Sequence, residues 1–189
     1  MSEIEEQDQA LWPKPSPLGS AAALDAMASI AAPPLAGFAL ATIAVVAQSA
    51  GSFRWPGLCI LFCAATAAFL VMSIQYGFTA RAFFYSPADI GTWWPEASDD
   101  RTRQAWLKAE HEQHHEQWRR YATRARFAYN AGVIALSLTL AVLAAPPAGA
   151  GQASLRWVAA GLSLLAAAGT TTTAIRRTRV LPRARTEEP

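Results

Sequence analysis

Residues 101–145 read RTRQAWLKAEHEQHHEQWRRYATRARFAYNAGVIALSLTLAVLAA. The stretch opens densely charged and closes without a charge, and neither Pro nor Gly interrupts it before Gly132. Its first half is dominated by strong helix formers. It reads as one helix from about Asp100, capped by Ser98 or Asp99 through their side-chain oxygens, running without a break from water into a membrane. At ~1.5 Å per residue it reaches on the order of 65 Å, about half of it a stalk clear of the bilayer.

Working outward, four apolar segments carry no charged residue: Ala31–Ala50, Gly57–Thr79, Phe127–Ala145 and Trp157–Ile175. Each approaches the ~20 residues that a helix needs to cross a ~30 Å hydrocarbon core. Lipid offers the backbone no hydrogen-bond partners, so each is helical. The chain has 189 residues, too few to bury four such helices in a soluble core.

The flanking charges set an orientation. Lys14 precedes the first span, eight Lys and Arg lie between the second and third, and five follow the fourth, which makes fourteen of the sixteen. The other two, Arg54 and Arg156, lie in the short loops on the opposite side. Cationic loops resist translocation, so the rich side is cytoplasmic. The expectation is an all-α, polytopic plasma-membrane protein with four transmembrane helices, both termini inside and a cytoplasmic helical extension of the third span. The acidic N-terminus lacks the basic region of a signal peptide, so the first span stays as an anchor. Arg outnumbers Lys fourteen to two, the usage of a GC-rich bacterial genome.

The organisation that follows is a cytoplasmic segment over 1–30, a transmembrane hairpin over 31–80, an aromatic segment and stalk over 81–126, a second hairpin over 127–175 and a basic tail over 176–189. Ser20–Ile30 reads as a short interfacial helix ended by Pro33-Pro34. Ser86-Pro87-Ala88-Asp89 reads as a turn. Phe83, Phe84, Tyr85, Trp93 and Trp94 read as anchors at the inner interface. Rows of small residues (Cys59, Cys63 and Ala67; Ala131, Ala135 and Thr139; Ala159, Ser163, Ala167 and Thr171) let helix backbones approach closely, as a compact four-helix bundle or between subunits. The two cysteines read as free thiols facing lipid.

The stalk carries a stripe: Leu107, His111, His114, Trp118, Tyr121, Ala125 and Ala128 recur at alternating spacings of four and three. That is a heptad seam and it wants a partner. The partner is the same helix of another subunit, residues 81–98, or another protein. The interaction set is therefore Leu107, His111, His114, Trp118, Tyr121, Phe83, Phe84, Trp93 and Trp94. His111 and His114 beside Trp118 also suit a pH-sensitive packing face.

His111-Glu112-Gln113-His114-His115 fits the H-E-x-x-H pattern, in which two His one turn apart hold zinc and the Glu activates water. The flanks are charged where such a helix is normally buried, and no third ligand is apparent. His111 and His115 are thus weak metal candidates. No cofactor is expected, since phosphate loop, nucleophile elbow and paired carboxylates are all missing. Gln75 and Thr170, Thr171, Thr172 and Thr173 are the polar residues that could line a pore, but no ionisable group sits at mid-membrane, where coupled transporters place one.

The leading expectation is a non-enzymatic oligomeric scaffold or accessory subunit that docks a partner through its stalk. The alternative is a subunit of a small ion channel or membrane-permeabilising pore, and the third is a zinc-dependent enzyme. Expected partners are the lipid bilayer and a second copy or another protein; nucleic acid is not expected.

Overall fold

A computed structural model describes residues 17–95, 101–147, 149, 151 and 153–180. Among them every regular element is helical: α1 Ser20–Asp25, a π-helical segment Ala26–Ala31, α2 Ala32–Gln48, a 3₁₀ turn Ala50–Ser52, α3 Pro56–Ala82, α4 Pro87–Trp93, α5 Arg101–Ala144 and α6 Ala153–Val180. Four continuous stretches, within Ser20–Gln48, Pro56–Ala82, Thr102–Ala144 and Ala153–Ile175, are long and apolar enough to cross a membrane. The protein is an all-α polytopic membrane protein.

The long helix forms as its sequence dictates, 44 residues without interruption. Its expected cap, Ser98 or Asp99, lies outside the described residues, as do Lys14, Arg183 and Arg185.

Pro33-Pro34 does not end the helix before it. The chain stays helical from Ser20 to Gln48. Two successive prolines have no N–H to give to the preceding turn. The turn ahead of them widens instead, and the Ala32 N–H donates to the Met27 carbonyl five residues back. The prolines fall in the first turn of α2, where a missing donor costs nothing. The presumed interfacial helix is thus the upper end of the first span.

Lipid provides no hydrophobic drive for helices to associate, so close backbone approach has to hold them. The structure supplies it at two glycines. A Cβ on Gly132 of α5 would lie 2.8 Å from the buried Leu70 side chain of α3, and one on Gly77 of α3 would lie 2.5 Å from the Ala28 Cβ of the π segment. Between these levels the Ser73 hydroxyl donates to the Ala125 carbonyl at 3.0 Å, tying α3 to α5. Cys59 and Cys63 are fully buried with Val46, against Val142 and Leu143. They are free thiols, but they face inward, because small side chains are what the α2–α3–α5 contact selects.

The four long helices form an open row rather than a compact bundle. α3 packs along α2 and α5, and α6 packs extensively along α5 alone. Among its described side chains Ala160 and Ala167 are the buried ones, whereas Leu155, Val158, Leu162 and Leu165 are exposed. A helix this rich in alanine has only one narrow face that fits closely.

The two arginines of the sparsely charged end are both used. Arg156 donates to the Leu143 and Ala144 carbonyls, which the end of α5 leaves without helical partners. Arg54 donates to the Pro146 carbonyl and lies over the Trp55 and Trp157 rings at 5.0 and 5.9 Å.

The close approaches predict that Gly132→Val and Gly77→Val each destabilise the fold by about 1–3 kcal/mol through overpacking. Gly161→Ala, which meets no atom within 4 Å, leaves stability nearly unchanged. Thermal unfolding of the three variants in detergent checks this.

Candidate functional site

The seam of α5 is covered by its own chain. Beyond α3 the backbone turns at Phe83 and runs as a strap, residues 83–95, along the charged half of α5. Ser86 starts α4 with a full capping box: its hydroxyl accepts from the Asp89 N–H, and the Asp89 carboxylate accepts from the Ser86 N–H at 2.7 Å. The Ser86 N–H, and then the Ser86 hydroxyl donating to the same carboxylate at 2.8 Å, hold the Asp89 carboxyl below the usual carboxylate range. Ser86-Pro87-Ala88-Asp89 therefore starts a helix rather than making only a turn. An S-x-x-D run with Pro at the first helical position carries that signal.

Leu107, His111, His114, Trp118 and Tyr121 of the seam meet the strap. Leu107 packs against Ile90 and Tyr85. His111 is buried with its ring edge-on to Tyr85, centroids 4.9 Å apart. The His114 Nδ1 and the Tyr85 hydroxyl share a hydrogen bond of 2.9 Å. Trp118 is buried with Leu24, Ala80, Ala122 and Ala125, and Phe84 lies 5.3 Å from its ring. Tyr121 stacks on Phe83 at 5.9 Å, nearly parallel, and the Arg124 guanidinium lies over the Tyr121 ring at 5.5 Å. Of the expected set Trp93 and Trp94 are the most exposed, 65% and 49% at the end of α4, with the Trp93 ring 6.4 Å from that of Tyr85.

Tyr85, Ile90 and Leu24 complete the cluster and were not singled out by the heptad. Ile90 lies on α4 and Tyr85 just ahead of its Ser86 cap, so neither belongs to the repeat of α5. Leu24 arrives because α1 continues the first span. Trp106, 59% exposed on α5, lies off the seam and has no periodic signal.

The same geometry bears on the other expected chemistry. The rings of His111 and His115 are 6.3 Å apart, while His114 is engaged by Tyr85 and Glu112 points to solvent. Among the described residues no three His, Cys, Asp or Glu gather to hold a metal ion. Gln75 lies exposed on α3, and α6, which carries the threonines, packs along α5. The hydroxyls of Thr170, Thr171, Thr172 and Thr173 donate to the carbonyls of Ala166, Ala167, Gly169 and Thr170 in their own helix.

Comparison with protein-family models, curated proteins and solved structures finds no match to this chain.

The His115 ring lies between those of His111 and Trp118, 6.3 and 5.2 Å away. Burial, then the nearby His111 and Arg119, holds its imidazole below the usual value near 6.5. The fold thus favours the neutral ring, and the stabilisation it lends is complete above pH ~6.5 and is lost as the pH falls through the lowered value. Acidification from pH 8 to 5 should expose the Trp118 region. His115→Gln should flatten that part of the profile. Tryptophan emission and limited proteolysis of the strap read both effects.

Proposed function

We propose that the protein is a non-enzymatic membrane-anchored platform, held in the cell membrane with both ends in the cytoplasm, that docks a protein partner on the tip formed by α4 and the start of α5. The observation that carries this reading is the exposure of Trp93, Trp94 and Trp106 at that tip.

Depth decides between docking and anchoring. Trp106 lies roughly 30 Å along α5 from Phe127, where the uncharged run begins. A 40° tilt still leaves about 24 Å. The headgroup layer is only ~5–8 Å thick on each side, so these rings stand in water. Phe83, stacked on Tyr121 roughly 9 Å along α5 from Phe127, lies nearer the interface; Trp93 and Trp94 belong with the tip, because α4 packs at the level of Leu107.

Exposed tryptophan on rigid helical scaffolding is the residue type that most often dominates a protein interface. The strap makes the tip rigid, since Tyr85, Ile90 and Leu107 fix α4 on α5. The heptad seam itself is occupied within the chain, which moves the docking surface from the seam to the tip. Fourteen of the sixteen Lys and Arg on one side support the orientation.

Two measurements follow. Ser52→Cys should react with an impermeant maleimide on intact cells and Thr123→Cys only after permeabilisation; the reverse pattern contradicts the orientation. A photo-crosslinking residue at Trp106 should give one discrete protein adduct in native membranes, lost on Trp93→Ala with Trp94→Ala, while one at the exposed Leu61 gives only lipid. A Trp106 probe that labels lipid places the tip in the interface and overturns docking.

A further inference from the structure

Where the charged end meets the membrane, α1, α3 and α5 leave a cleft of about 230 Å³. Its walls are mainly apolar, with Ala21, Leu24, Gly77 and Trp118 among them, and Asp25 and Arg81 also line it. The Arg81 guanidinium donates to the Asp25 carboxylate at 2.8 Å, with 66% and 47% of the two side chains exposed.

The sequence sets the depth of this pair. After Asp25 the next charged residue is Arg54, and after Arg54 the next is Arg81. Asp25 and Arg81 are therefore the charges that bound the first two spans on the same side. A charge that closes an uncharged span lies at the headgroup layer. At that depth the cleft is reached by lipid headgroups: Gly77 lies one turn to the membrane side of the pair, and Ala21, Ala22, Leu24 and Phe84 lie level with it or towards the charged end.

We propose that this cleft binds one phospholipid whose headgroup carries a primary ammonium beside its phosphodiester, as in phosphatidylethanolamine. The charge pattern selects it. Arg81 offers a planar fork of N–H donors that matches a phosphate, and Asp25 accepts from an ammonium. The two protein charges lie as neighbours, as the two headgroup charges do, so each finds its opposite at once. An exposed ion pair of this kind is held weakly and opens readily. An anionic lipid satisfies Arg81 but places its charge beside Asp25. A choline headgroup presents an ammonium with no N–H to donate. The volume lies below the ~300–1,000 Å³ of a site that encloses a whole ligand, which suits a headgroup.

The test is native mass spectrometry of the delipidated full chain, offered equal amounts of ethanolamine, choline and glycerol phospholipids with identical acyl chains. The ethanolamine lipid should be bound several-fold more than the choline lipid. Asp25→Asn should abolish that preference and shift binding towards the glycerol lipid. Arg81→Gln should lower all binding. Ala22→Phe, from an exposed position that lines the cleft, fills it and leaves the ion pair intact; it should lower ethanolamine-lipid binding alone and carries the test should a charge variant fail to fold. Equal binding of ethanolamine and choline lipids by the unaltered chain overturns the proposal. So does a preference for the glycerol lipid, or an ethanolamine preference that survives both Asp25→Asn and Ala22→Phe.

Discussion

A peptide backbone in lipid has to bond to itself, and everything else in this protein is arranged around that constraint. It forces the four apolar segments into helices and leaves their association to fit rather than to hydrophobic drive. The fit is best between α3 and α5, where Gly132 admits Leu70 and the Ser73 hydroxyl reaches the Ala125 carbonyl. α2 and α6 attach to either member of this pair. Even the two prolines of the first span obey the rule: the π turn re-forms the hydrogen-bond ladder around them and keeps the helix whole.

The same α3–α5 pairing builds the charged end. As α3 runs out of its apolar stretch, Ala80 reaches Trp118 and Ala122, and Leu24 closes over them from α1. The chain then has no route except along α5, and the strap lays Phe83, Phe84 and Tyr85 on a seam of ring and histidine positions. The histidines serve here as hydrogen-bonding aromatic packing, with Tyr85 bridging His111 and His114. What is left outward is Trp93, Trp94 and Trp106.

Much of this was legible from residue types alone. The spans were visible because lipid tolerates no charge, and the long helix because nothing in Arg101–Phe127 breaks one. The seam was visible too, since a heptad repeat is a property of one helix. Its cover was not: Tyr85 and Ile90 meet α5 only after a capping box turns the strap, and that contact is between segments with different periods. The path of α1 was hidden for a similar reason, because two prolines usually stop a helix and here a widened turn accommodates them. The inward-facing cysteines were misread because span two is apolar on every side, and only packing distinguishes its faces. The Asp25–Arg81 pair depends on that same continuous first span.

The central claim is that α5 passes unbroken from the bilayer to a tip held in water. A spin-label scan of exposed positions from Arg103 to Leu140 in nanodiscs measures it directly, using collision with oxygen and with a polar nickel complex. Nickel should dominate from Arg103 to about Arg120, including Trp106, and oxygen should take over past Phe127. Oxygen dominance at Trp106, or a loss of helical periodicity between Arg119 and Phe127, would contradict the account.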